Sequence, residues 1–303
     1  MSQGKEIKHR IKSIQNTKKI TKAMELVSAA KMRKAVGQVV LSRNYARLAW
    51  EIIAKISHSN PKYVHPLLKK PKKIKQALIL VVSSNRGLCG AFNSNVLKKC
   101  LLVDRELKQK NIDYQFITFG SKVRDQLRRL KYNLLADFTK PDLLDDLAYI
   151  TPISQLLLDG FIQKEYQAIY LVYTDFISTL KQQPIIKKLL PLKTHPDSEI
   201  GVVSNNSSDI SETENWKLKT DYKYEPSPKL VLDQILPRIL ELQIYQAVLE
   251  SDASEHSARM LAMKNAHKSA TDMIDSLNLA YNQARQAAIT QELAEIVAGA
   301  NAI

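Results

Sequence analysis

The run Ser83-Ser-Asn-Arg-Gly-Leu-Cys-Gly90 gathers a thiol, two hydroxyls, a guanidinium and two glycines within one short stretch. Placed after a strand, such a turn can offer a nucleophile or cradle a phosphate at the mouth of a sheet. The pattern falls short of both uses. A Walker loop needs a Gly-Lys-Ser/Thr ending and a dinucleotide fingerprint needs Gly-x-Gly-x-x-Gly, whereas Gly87 and Gly90 stand alone. Cys89 also lacks an adjacent base, since His58, His65 and His195 lie in or beside loops and the other histidines fall in helical segments. The stretch therefore reads as a structural turn. Cys89 and Cys100 are too few for a disulfide framework and do not have zinc-ligand spacing, and no His-Glu-x-x-His run occurs. No catalytic residue, cofactor or metal is expected, and a reduced compartment fits.

Charge is the stronger signal. The chain carries a net +15, and its first 75 residues hold nineteen Lys or Arg against Glu6, Glu25 and Glu51, a net +16. The remainder is close to neutral, so the stretch from Lys5 to Lys34 needs an acidic partner or is a solvated helix face. Nucleic acid would supply such a partner. However, the segment has no aromatic residue before Tyr45 for stacking on bases. A basic, nucleic-acid-binding coiled coil is thus the alternative, not the leading reading.

Long elements must carry these charges. From Ser2 to Ser57 there is no proline and only Gly4 and Gly37 interrupt a composition rich in Ala, Lys, Arg, Met and Leu, which predicts a helix over 1–58. Its apolar residues Ile7, Ile11, Ile14, then Ile20, Met24, Val27, then Leu41, Tyr45, Leu48 and Ile52 are expected to form one face. At ~1.5 Å per residue, such a helix would be on the order of 80 Å long and could not bury its stripe alone. Residues 229–303 supply a second helix. Met260, Met263, His267, Ala270, Ile274, Leu277, Tyr281, Ala284 and Ala288 step by three and four, a heptad seam whose small residues allow close backbone approach. The two ends are expected to pair with each other, with a homodimeric coiled coil as the other possibility.

Between them the period changes. Gln76–Ser83, Tyr114–Phe119 and Ala168–Tyr173 are short runs rich in β-branched and aromatic residues, separated by helical patterns at 94–110, 122–130 and 143–163. That alternation predicts a small, mostly parallel, Rossmann-like α/β domain over 75–192, with 184–192 as an edge strand. The polar tract 193–228 reads as a mobile loop. No apolar run reaches the ~20 residues needed to cross a bilayer, and the basic start lacks the apolar core of a signal peptide.

Ile11 to Arg33 (IKSIQNTKKITKAMELVSAAKMR), Ser257 to Lys264 and Ala284 to Ala300, together with Ser83 to Phe92, resemble the gamma subunits of F-type rotary ATP synthases along essentially the whole chain. The resemblance implies an antiparallel coiled coil inside a ring of three alpha and three beta subunits. It also implies that the α/β domain stands against epsilon and the membrane c-ring, peripheral to the cytoplasmic face of a bacterial inner membrane, with no span and no nucleic acid. Rotation of the shaft would couple ion flow, in most such machines of protons, to ATP synthesis or hydrolysis at beta sites, with no catalytic residue in this chain. It further implies that Lys19, Lys22, Met24 and Arg33, and Arg285, Gln286, Thr290 and Glu292, contact the surrounding ring. The cysteine-bearing regulatory insertion of chloroplast relatives has no counterpart, so no thiol switch is expected.

Overall fold

The computed structural model describes residues 2–59, 65–142, 144, 146–192, 225 and 227–300. Nearly all of the expected loop 193–228 lies outside the described residues, as do the side chains of Tyr45 and Ile52. The elements run α1 (Ser2–Ser59), β1 (Gln76–Val82), α2 (Phe92–Gln109), β2 (Asp113–Phe119), α3 (Ser121–Arg129), β3 (Leu134–Phe138), α4 (Thr151–Ile162), β4 (Ala168–Phe176), β5 (Gln182–Leu190) and α5 (Pro228–Ala300). The chain divides into two compact units, one of Met1–Ala29 with Arg259–Ile303 and one of Ala30–Ala258.

In the larger unit the strands lie in the order β3-β2-β1-β4-β5. The first four are mutually parallel and β5 runs antiparallel to β4 along one edge. β1 shows why both faces are covered. Ala77, Ile79 and Val81 point into a core shared with Val96, Cys100 and Val103 of α2 and Val123 and Leu127 of α3. Leu78, Leu80 and Val82 point to the other side, toward Ile153 and Leu157 of α4, Ala49 and Ile56 of α1, and Leu236, Ile239, Leu240 and Ile244 of α5. The strict alternation of a pleated strand thus fills two cores from one apolar run. Each fully buried Leu or Ile contributes about 1.5–3 kcal/mol. Here α1 and α5 run antiparallel: Met32 and Ala35 pack with Ala253, while Gln246 donates to the Ser42 hydroxyl at 3.3 Å.

The smaller unit is built from the same two helices. On α5 the predicted seam is the buried one, with Met263, Ala270 and Ile274 buried and His267, Leu277, Tyr281, Ala284 and Ala288 half-buried. On α1 the inward positions are Ile7, Ile11, Ile14, Lys18, Thr21, Glu25 and Ser28, with Met24 of the expected face half-buried beside them. This corrects the expected single apolar face. Ile20 is 60% and Val27 55% exposed, and in the larger unit Leu41 is 78% and Leu48 52% exposed. The step from Ile14 to Ile20 is six residues, which turns the side chain about 120° away from the seam, whereas Lys18 and Thr21 continue the alternating steps of four and three.

Candidate functional site

The turn after β1 is a closed network. Ser84 Oγ donates to the Arg86 carbonyl at 2.7 Å. Asn93, in the first turn of α2, reaches back with its Oδ1 accepting the Ser84 N–H at 3.2 Å and its Nδ2 contacting Cys89 Sγ at 3.2 Å. Cys89 is buried to 2% exposure. A thiol held inward by hydrogen bonds fits a brace better than a nucleophile. Gly120, at the end of β2, lies so close that a Cβ there would meet the Ser83 carbonyl oxygen at 2.2 Å, and its φ of 112° is one only glycine adopts readily. Asn85, Arg86, Ser121, Arg124, Phe138, Thr139 and Asp142 line a shallow groove of about 360 Å³ at the carboxyl ends of β1, β2 and β3. Both guanidiniums are already engaged there, Arg86 with Asp142 at 3.6 Å and Arg124 with Asp137 at 3.1 Å. Among the described residues no cluster of His, Cys, Asp and Glu is arranged to hold a metal ion, and no helix is long and apolar enough to cross a membrane.

The smaller unit offers a surface instead. Lys19 and Lys22 are exposed on α1 and Met24 is half-buried; Lys22 Nζ pairs with Glu25 at 3.2 Å. Lys22 is the exposed member of this pair, at 48% against 15% for Glu25, so its ammonium still faces solvent. Arg285, Gln286, Thr290 and Glu292 are all exposed on α5, with the Thr290 hydroxyl donating to the Gln286 carbonyl at 2.9 Å. The two groups share this unit without forming one patch. His267 Nδ1 stands 3.2 Å from the Lys18 carbonyl oxygen, which fixes the register. From that level to Arg285 is on the order of 25 Å along the helix at 1.5 Å per residue. Arg33 is exposed on α1 within the larger unit.

Around these charges lies an apolar exterior that sequence reasoning missed. Ile20, Leu26 and Val27 on α1, and Met273, Leu279, Ile289, Leu293, Ile296 and Val297 on α5, are each between 48% and 67% exposed. The signal was present in the register: extending Ile7, Ile11, Ile14 by fours and threes leaves Ile20 and Val27 outside.

A second missed feature is a buried ion cluster in the larger unit. Lys140 Nζ lies 2.5 Å from Asp252 Oδ1 and 2.6 Å from Glu255 Oε2, all three groups almost wholly buried. Burial alone would drive the ammonium to lose its proton; the two carboxylates outweigh that and raise its pKa. The Asp252 carboxyl is pushed up to about 6 by burial, against the pull of Lys140 and with Glu255 adding to the rise.

The comparisons with known proteins bear on this surface. Residues 3–303 match the family model described as ATP synthase. Over 303 residues, covering all of both chains, the sequence is 43% identical to the ATP synthase gamma chain of Acidovorax sp. (strain JS42) and 40% identical to that of Xylella fastidiosa (strain M12). In fold it is similar to a chain of the rotor of the Euglena gracilis mitochondrial ATP synthase, with a TM-score of 0.64 at 17% identity over 95% of this chain and 99% of that one. A chain of the Tetrahymena thermophila mitochondrial central stalk and c-ring gives a TM-score of 0.58 at 22% identity over 82% and 99%.

Proposed function

The chain belongs to the ATP synthase gamma-chain family, and from that premise we propose that it is the central rotor shaft of an F-type ATP synthase. In this role it couples ion flow, of protons in the usual case, through a membrane sector to ATP synthesis or hydrolysis on alpha and beta subunits. One observation carries the mechanical reading. The paired helices of the smaller unit bury a seam containing Thr21, Ser28 and Ala270 and leave Ile20, Leu26, Val27, Met273 and Leu279 outside, while Ile289, Leu293 and Ile296 are exposed on the stretch of α5 that runs past the start of α1. An element that exposes its apolar side chains around a narrow seam is built to be enclosed by another protein.

Within this proposal the ring of three alpha and three beta subunits surrounds the paired helices, and the α/β domain meets epsilon and the c-ring. Lys19, Lys22, Met24 and Arg33 face acidic loops of beta, while Arg285, Gln286, Thr290 and Glu292 engage the ring along the far end of α5. Apolar side chains give a surface that slides without strong registry, and exposed charges tune that motion by small increments. The chain performs no chemistry itself, and it sits peripherally at the cytoplasmic face of a bacterial inner membrane. The closed turn around Cys89 supports the first point.

Reconstitution is the direct test. Mixed with purified alpha and beta subunits, the chain should co-purify with them and restore cooperative ATPase that the two lack alone. Failure to associate, combined with salt-sensitive binding to DNA, would replace the proposal with the nucleic-acid reading.

A further inference from the structure

The turn around Cys89 and the buried cluster at Lys140 have one segment in common. After β3 the chain runs Phe138-Thr139-Lys140-Pro141-Asp142. The Lys140 side chain enters the interior to meet Asp252 and Glu255, which stand one helical turn apart on the same face of α5. Two residues on, Asp142 Oδ2 lies 3.4 Å from Lys31 Nζ of α1 and 3.6 Å from Arg86 of the turn after β1. The Lys140 carbonyl accepts from Asn85 Nδ2, and the Asn85 Oδ1 accepts the Ser121 N–H at 3.2 Å. The three residues from Lys140 to Asp142 are thereby tied to both long helices and to the ends of β1 and β2. Every one of these partners belongs to the larger unit.

Apolar packing also joins sheet and helices there, through Ile244 and Val248 of α5 among others. Hydrophobic contact is non-directional, so it resists separation more than it resists a small turn or slide of a helix against the sheet. An ammonium shared between two carboxylates at fixed distances does resist it, because any displacement leaves a buried charge without its counter-charge. We propose that Lys140, with Asp252 and Glu255, is a torque clasp: a positioning device that fixes the angular register between α5 and the α/β domain, so that rotation is passed from one to the other without slip. The braced turn from Ser83 to Gly90 then has a role, since it holds the backbone on which Lys140 and Asp142 are mounted.

This inference rests on the rotor reading, and its experiment separates the two. In membrane vesicles carrying the assembled enzyme, Lys140→Met, Asp252→Leu and Glu255→Met are introduced together, because replacing buried charged partners jointly by apolar groups often preserves stability where removing one of them does not. ATP hydrolysis should stay near wild type, while ATP-driven ion uptake per ATP hydrolysed falls severalfold. Unchanged uptake per ATP in the assembled triple variant overturns the clasp. If the triple variant does not assemble, Glu255→Gln, which leaves the Lys140–Asp252 pair standing, decides between a partial loss that supports the clasp and wild-type uptake that overturns it. Absence of ATP-driven uptake with the unmodified chain, by contrast, sinks the rotor reading itself.

Discussion

His65 is held in one tautomer. Its Nδ1 accepts the Leu67 N–H at 3.1 Å, so the ring proton sits on Nε2, 3.0 Å from Asp233 Oδ1. Adding a second proton would place it on Nδ1, facing another donor. Burial lowers the pKa of this ring below its ordinary value, with Asp233 pulling less strongly the other way. A depressed folded-state pKa means that the native state disfavours the proton. The contribution to stability is therefore complete above the unfolded value of ~6.5 and is lost as pH falls through the folded one. The melting temperature of the chain should drop between pH 7 and pH 5 more steeply than that of His65→Asn, whose Oδ1 can accept the same N–H without titrating. Equal slopes in a thermal melt followed by circular dichroism would show that the ring does not sense pH.

At the scale of elements, the seam of the smaller unit is narrow because small residues line it. Ala270 is 8% exposed there, so Ala270→Leu should force the two backbones apart and destabilise the paired helices by about 1–3 kcal/mol. Leu279→Ala, at a position 63% exposed, should change stability by no more than ~0.5 kcal/mol. Urea titration of both variants checks the contrast, and a reversed order would mean that the seam has been misplaced. The α5 seam was legible in the sequence because its steps of three and four run unbroken from Met263 to Ala288. The α1 face was legible at Ile7, Ile11, Ile14 and Met24 but not at Ile20 or Val27. Beyond Ile14 polar Lys18, Thr21 and Ser28 take the inner positions, and hydrophobicity no longer reports direction. β3 escaped notice because Leu-Leu-Ala-Asp-Phe lacks the β-branched residues that mark a strand, whereas β1, β2 and β4 are rich in them. The Lys140 cluster was out of reach for a different reason. Its members lie 112 and 115 residues apart, and no local pattern ties them.

For the molecule as a whole, the two units differ in how much apolar surface they cover internally. The larger one fills both faces of a five-stranded sheet, while the smaller one buries little beyond Met263, Ala270 and Ile274. Local stability follows buried contact. In hydrogen exchange on the isolated chain, amides of 2–29 and 259–300 should exchange well before those of β1 and β4. Adding alpha and beta subunits should slow the helical amides and leave the strands as they were. Uniform protection along the isolated chain would contradict this division.

The outward-facing Ile20, Leu26, Val27 and Leu279 also set a condition on manufacture. A copy made in excess of the proteins that enclose it carries a greasy sleeve into the crowded cell, where the nearest match is another surplus copy. Output of this polypeptide therefore has to be kept in proportion to that of its neighbours, and overproduced alone it should gather in inclusion bodies that co-production of those neighbours dissolves.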